Sequence, residues 1–309
     1  MPTLGNTNLT VSSIGLGTVE IGLPYGIDVK SLPSDKEAER ILKTAVELGI
    51  TYFDTARGYG VAEERIGRSG ISQQEGIVVG TKCGQFLKDE PNLHGADLVK
   101  RIRDEVDISR RNLKLDILPL LQLHIESPDF DNLDELVDIM QKLQNEEKVQ
   151  HVGLACRGEK VPLDTLGSGF FETIQVAYSI LDQRMAVKVL PAAAQNNVGV
   201  ICRSVLLQGV LTPAVEKLPD RLSPLKNNSR KAARIAAELG IDLPTLAIRF
   251  AAFHPAVSIT LIGTTRPKHL ATTLAAVQAG PLPKTVLQKL AKLATNDPSQ
   301  VDPSQWPKM

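Results

Sequence analysis

Short apolar, β-branched runs alternate along this chain with longer segments of helical periodicity, the pattern of repeated βα units around a parallel sheet. The runs predict strands near 12–17, 50–54, 76–82, 116–124, 150–155, 173–177, 198–203 and 257–262. Between them, Ser34 to Leu48 opens with Ser-Asp-Lys-Glu, a capping box, and stops before Gly49. Ala96 to Leu113 carries Leu98, Ile102, Val106 and Ile108 at helical spacing, and further helices are predicted over 131–147 and 267–279. Eight such units without an intervening linker predict a single domain over 1–309, an α/β fold of the (β/α)8 TIM-barrel type rather than a doubly wound sheet. Residues 1–11, with Gly5-Asn6-Thr7-Asn8 between two strand-like pieces, predict a β-hairpin capping the closed end. Residues 204–243 read as a long connection after strand seven, functional or mobile. The C-terminal tail, which repeats Asp-Pro-Ser-Gln at 297–300 and 302–305 before Trp306, has no core pattern and predicts a loose end.

Three of the strands end on groups capable of chemistry. The second runs into Asp54 with Tyr59 five residues on, the third ends on Lys82 and the fourth on His124. Parallel strands of one barrel bring their C-terminal ends to a common mouth, so a carboxylate, a phenol, an ammonium and an imidazole converge there. Each residue has an ordinary reading alone: Tyr59 as a turn residue in Gly-Tyr-Gly, Lys82 as a solvated strand end, Asp54 as a helix cap, His124 as a structural residue. Jointly they suit carbonyl reduction, where the oxygen must receive a proton as the carbon receives a hydride. A phenol has a reference pKa near ~10, and an ammonium about 4 Å away contributes on the order of 4 kcal/mol at an effective dielectric near 20 toward lowering it. In this scheme Tyr59 is the proton donor, Asp54 holds the Lys82 ammonium, and His124 orients the oxygen or shares the proton.

Composition narrows the alternatives. The 309 residues hold 35 Lys plus Arg against 35 Asp plus Glu, a net charge of zero that favours neither nucleic acid nor an anionic membrane as partner. No apolar run approaches the roughly 18 to 20 residues of a membrane span and the N-terminus has no signal-peptide pattern, so a cytoplasmic protein is expected. Cys83, Cys156 and Cys202 are odd in number and widely spaced, as free thiols are. The five histidines have no HxH or HExxH spacing, so no metal site is expected, and no GxSxG elbow is present. Gly15-Leu-Gly17-Thr-Val-Glu20 and Gly58-Tyr-Gly60-Val-Ala-Glu63 both lack the third glycine of a Rossmann fingerprint.

Nearly the whole chain resembles the aldo-keto reductase family. The resemblance is carried by Ser13-Ile-Gly-Leu-Gly-Thr18, Gly49-Ile-Thr-Tyr-Phe-Asp-Thr-Ala56 with Tyr59-Gly60, Thr81-Lys82, Leu121-Gln-Leu-His124 and Ile262-Gly-Thr-Thr-Arg-Pro267. It implies that Asp54, Tyr59, Lys82 and His124 are a catalytic tetrad, with Tyr59 as general acid/base, and that a nicotinamide cofactor lies extended across the mouth. Thr18 and Asp54 would border that cofactor, and Gln175 would bond the nicotinamide carboxamide. Ala155-Cys156 stand where the family has Ser-Asn, and Arg203 stands where many members stack a tyrosine. Ser204, Leu206, Gln208 and Gly209 match the segment along the pyrophosphate, and Gly263, Thr265, Arg266 and His269 the adenosine end. Thr264, Thr265, Arg266, Lys268 and His269 offer donors for a 2′-phosphate, so NADP(H) is preferred and NAD(H) possible, although Thr272-Thr273 replace the family's Glu-Asn adenine pair. A nucleotide-sensing regulatory protein of the same fold, with little turnover, is the alternative.

The loops after strands one, three, four and seven carry Glu20, Tyr25, Gln85, Phe86, Lys88 and Glu126. Their polarity, with aromatic residues at only 4% of the chain, points to a hydroxylated aldehyde, ketone or sugar as the small-molecule partner rather than a polycyclic one. A monomer or weak homo-oligomer is expected.

Overall fold

The computed structural model describes residues 2–27, 29–125, 132–295 and 297–306. Eight parallel strands close into a barrel in sequence order: β1 (Ile14–Gly17), β2 (Tyr52–Asp54), β3 (Val78–Cys83), β4 (Leu118–Ile125), β5 (Val149–Cys156), β6 (Thr173–Ala177), β7 (Gly199–Arg203) and β8 (Ile259–Gly263). All eight predicted strands are present, with ends that agree to within two residues. Helices follow each strand, among them Asp35–Glu47 after β1, Ala62–Ser69 after β2, Gly95–Leu113 after β3 and Pro267–Gln278 after β8. The predicted capping box at Ser34 is formed in both directions, Ser34 N–H donating to Glu37 Oε2 at 2.8 Å and Glu37 N–H to Ser34 Oγ at 3.3 Å. Among the described residues no helix is long and apolar enough to cross a membrane.

The period of two along each strand sorts the side chains into two cores. Phe53, Val79, Leu121, Leu123, Val152, Leu154, Ile174, Val176 and Val200 face outward and are buried in the layer that packs against the helices. Their neighbours Tyr52, Val78, Leu120, Ile201 and Ile259 face inward and form a separate cluster with Leu4 and Val11 of the N-terminal hairpin. That hairpin is short, a single Thr3–Thr10 antiparallel bridge braced by Leu4 N–H to Leu9 O and Val11 N–H to Pro2 O. It plugs the closed end with apolar side chains.

Continuing upward with the same parity, the inward positions change from apolar to functional. Asp54 lies two residues above Tyr52; Lys82 lies four above Val78; His124 lies four above Leu120; Arg203 lies two above Ile201. The register staggers them, because Asp54 is level with Gly80 whereas Lys82 is level with Gln122 and His124 with Ala155. Each strand therefore delivers its group one inward step higher than the last.

Two expectations need correction. The 204–243 connection is structured: it contains the helix Ser223–Glu238 and three short 3-10 turns, its apolar Leu207, Val210, Leu211, Leu222 and Leu225 being buried. The tail is also docked. Trp306 is 8% exposed within the main core, its Nε1–H donates to Gln300 O at 2.8 Å, and each Asp-Pro-Ser-Gln piece caps its own short turn through Asp297 and Asp302. A single large aromatic side chain anchored a segment that lacks any periodic pattern.

Candidate active site

The centre of the barrel mouth is a buried ion pair. Lys82 Nζ, on a side chain 1% exposed, donates to both carboxylate oxygens of Asp54, 2.6 Å from Oδ1, and to Thr55 O at 2.8 Å. The Gln175 amide, 121 positions away in sequence, donates to Asp54 Oδ1 at 2.7 Å. Burial pulls the Lys82 ammonium below its usual range and the facing Asp54 carboxylate pushes it back up. Asp54 is thus held from one side by a charge and from the other by an amide.

Tyr59 and His124 stand over this pair. Lys82 Nζ lies 4.9 Å from the centroid of the Tyr59 ring, and the Tyr59 and His124 rings meet edge to face with centroids 6.5 Å apart. Burial, reinforced by the positive charges of Lys82, Arg203 and Arg157, holds the His124 imidazole well below the usual histidine range. His124 is therefore neutral at neutral pH. Asp54, Tyr59 and His124 line a cavity of about 530 Å3, and Lys82 lies beneath its floor.

The loop that presents Tyr59 is fixed from below by groups that sequence reasoning passed over. Glu63, 0% exposed, accepts from Thr81 Oγ1 at 2.7 Å and pairs with Arg57 Nη1 at 2.9 Å. Arg57 N–H in turn donates to Lys82 O at 3.0 Å, and Thr18 Oγ1 donates to Asp54 O at 2.8 Å. Gly22 presses on the other side: a Cβ there would lie 1.9 Å from Tyr59 O and 2.7 Å from Ala62 Cβ. The Gly22-Leu-Pro24 context carries no motif, so only the close approach reveals its role.

The rest of the cavity wall contains most of the expected cofactor residues. Thr18, Ala155, Cys156, Gln175, Arg203, Ser204, Leu206, Gln208, Gly209, Gly263 and His269 all line it, whereas Thr265 and Arg266 sit on its exposed outer rim. Arg203 donates to Ser204 Oγ and to Cys156 O, both at 3.1 Å. Thr264 Oγ1 and His269 Nδ1 are hydrogen-bonded at 3.0 Å. Cys156 and Cys202 are buried free thiols, their pKa values pushed up to about 12 by burial. Glu126 lies outside the described residues. Among the described residues no group of three or more His, Cys, Asp or Glu side chains is arranged to hold a metal ion.

The loops after β1 and β7 meet above the cavity. Ile27 N–H donates to Gln208 O at 3.3 Å, and the Gln208 side chain hydrogen-bonds the Tyr25 hydroxyl. Ser204, Leu207 and Gln208 all adopt positive φ (62°, 46° and 53°), followed by Gly209 at 107°. Left-handed backbone at three non-glycine residues within five positions costs on the order of 1 kcal/mol or more each, and such strain gathers where a ligand is clamped.

This arrangement matches a known family over almost the entire chain. Residues 13–295 fit the model of the aldo/keto reductase family. The chain belongs to that family. Relatives include L-galactose dehydrogenase of Arabidopsis thaliana, 28% identical over 89% of this chain and 86% of its own length, and D-threo-aldose 1-dehydrogenase of a Pseudomonas species, 28% identical over 87% and 90%. Among solved structures, the holo form of aldo-keto reductase AKR11C1 from Bacillus halodurans superposes with a TM-score of 0.79 at 26% identity, covering 97% of this chain and 98% of that one. The protein is accordingly an NAD(P)H-dependent oxidoreductase of the aldo-keto reductase type acting on small molecules.

Gly22→Ala should shift the Tyr59 loop. The expected outcome is a loss of about 1–3 kcal/mol in urea unfolding, the range for overpacking, and a fall in kcat of up to about 10²-fold, as displacement of a reacting group by an ångström produces.

Proposed function

We propose that this chain interconverts a hydroxylated carbonyl compound and its alcohol, with Tyr59 as general acid and base and NADP(H) as the preferred cofactor. The observation that carries the reading is the phenol of Tyr59 set against the Lys82 ammonium, itself tied to Asp54, at the floor of the cavity in the barrel mouth. In the reducing direction the Tyr59 hydroxyl gives its proton to the substrate oxygen as the carbonyl carbon takes up a hydride. The Lys82 ammonium stabilises the phenolate left behind, and solvent restores the proton. His124, neutral, hydrogen-bonds the substrate oxygen and holds the carbonyl in line; it has no spare proton to give as an imidazolium. In the oxidising direction the phenolate accepts the alcohol proton.

The residues around the cavity suit a nicotinamide dinucleotide. A bound dinucleotide supplies or accepts the hydride. Gln175, Cys156 and Ala155 would border its nicotinamide, Arg203, Ser204, Leu206, Gln208 and Gly209 its diphosphate, and Gly263, Thr265, Arg266 and His269 its adenosine end. At the adenosine end the missing Cβ of Gly263 makes room for the Glu20 carboxyl, which lies against the strand there. The preference for NADP(H) rests on Arg266 and Lys268, exposed at the start of the helix Pro267–Gln278, where the positive end of the helix dipole adds to the pull on a phosphate. A polyhydroxylated substrate is supported by the polar groups along the cavity, Glu20, Tyr25 and Gln85, and by the sugars in the names of the two relatives.

Three measurements test this. Tyr59→Phe should lower kcat by roughly 10² to 10⁴-fold while leaving the fluorescence-measured affinity for NADPH intact; near-normal turnover overturns the role of Tyr59, and tight binding without turnover in the unmutated protein would favour a regulatory nucleotide sensor. Arg266→Ala should weaken NADPH by about ten- to a hundredfold, the worth of one charged hydrogen bond, and leave NADH unchanged. Across a panel of carbonyls, aldoses and hydroxyaldehydes should give higher kcat/KM than hydrophobic aromatic aldehydes, and the reverse order excludes the sugar-like substrate.

A further inference from the structure

The short turn after β1 carries Glu20 to the cavity wall, where it takes no part in the proton transfer just described. Its carboxyl lies flat on the end of β8, so close that a Cβ on Gly263 would fall 2.0 Å from Oε1 and 2.4 Å from Oε2. Part of the side chain opens into the cavity, while Oε2 is buried and has no hydrogen-bond partner. Buried carboxylate oxygens are ordinarily satisfied, and one without a partner favours the neutral, protonated carboxyl on a residue that lines the cavity. The inference that follows rests on the dinucleotide reading above. A dinucleotide with its hydride end at Tyr59 and Gln175 and its adenosine end at Gly263 and His269 has to carry its diphosphate or the adjoining ribose past this carboxyl.

We propose that Glu20 links cofactor affinity to a proton: in its neutral form it donates a hydrogen bond to the dinucleotide, and in its ionised form it repels the diphosphate.

The electrostatic setting supports this. Burial drives the Glu20 carboxyl up to about 7, opposed only by its own backbone N–H. The other groups that face this region do not reproduce the effect. From the same loop, burial pushes the Tyr25 phenol up, so it stays protonated. Across the cavity, the His124 and His269 imidazoles are both held below their ordinary range and are already neutral above pH 7. Arg203 on β7 and Arg157 after β5 also face the cavity, and Arg65, on the helix beneath the turn, is engaged with Asp35 and with Ile21 O. At the floor Asp54 and Tyr59 flank Lys82, whose ammonium is lowered by burial and could also lose charge as pH rises. Removing the Glu20 charge alone separates the two contributions.

The sign follows from linkage. Below about pH 7 Glu20 is protonated with or without cofactor and the affinity is flat. Above it the free protein loses this proton whereas the anionic diphosphate raises the carboxyl's pKa in the complex, so binding takes up a proton and Kd climbs with pH. NADPH and NADH are each titrated against the unmutated protein and Glu20→Gln from pH 6.5 to 9, with calorimetry at pH 8 in two buffers of different ionisation enthalpy. NADH has no 2′-phosphate, whose own ionisation near pH ~6 would otherwise overlap. The expected result is a Kd that weakens on the order of tenfold or more between pH 7 and 9, with proton uptake at pH 8, and a flatter profile with less uptake in Glu20→Gln. Binding without proton uptake in the unmutated protein, or the same slope in Glu20→Gln, overturns the role of Glu20 and leaves the dinucleotide reading standing. Failure of both dinucleotides to bind at any pH overturns both. If Glu20→Gln does not fold, Glu20→Ala titrated in the same way removes the same charge, and an unchanged slope there overturns the role of Glu20.

Discussion

A lysine ammonium beneath the floor of the cavity is tolerated only because a carboxylate meets it there. Removing either partner from a buried ion pair leaves an uncompensated charge at a cost of about 3–5 kcal/mol, so Lys82 and Asp54 hold each other in place. Most of the site is arranged around that pair. Gln175 and Thr18 brace Asp54 through its side chain and its backbone, Thr55 O takes a third bond from Lys82, and Arg57 ties the Tyr59 loop to the backbone of Lys82 itself. The charge that conditions the chemistry is also what fixes the geometry.

The barrel makes this possible by separating its interior into zones. Below, the hairpin plug and the inward apolar side chains exclude water and supply stability. Above, the same inward parity delivers Asp54, Lys82, His124, Gln175 and Arg203. From β2 to β4 the register staggers Asp54, Lys82 and His124 by one inward step each; Lys82 sits under the floor while His124 reaches the wall. The low-dielectric surroundings, reinforced by the nearby positive charges, are what hold the His124 imidazole neutral.

The strap formed by the loops after β1 and β7 adds a second constraint of a different kind. Three non-glycine residues in left-handed backbone are held by buried Leu207 and Val210 and by the bonds from Ile27 and Tyr25 to Gln208. Strain of this kind persists when its surroundings over-determine it. Here both loops bring polar groups over the cavity, and the same β1 loop carries Glu20 against β8.

Much of this was legible in the chain itself. Strand positions, the Ser34 cap, and the residues that reach the mouth follow from local pattern, since a strand of fixed parity and a parallel neighbour decide which side chains face inward before any contact is known. Asp54, Tyr59, Lys82 and His124 each end or follow such a strand, which is why they could be named together. The tertiary structure alone decided the rest. The Gln175 bond to Asp54, the closeness of Gly22 to Tyr59, the support from Glu63, the docking of Trp306 and the meeting of Glu20 with Gly263 join positions that no periodicity relates. Close approach, burial and desolvation depend on what lies across the barrel, and a chain read residue by residue holds no record of that distance.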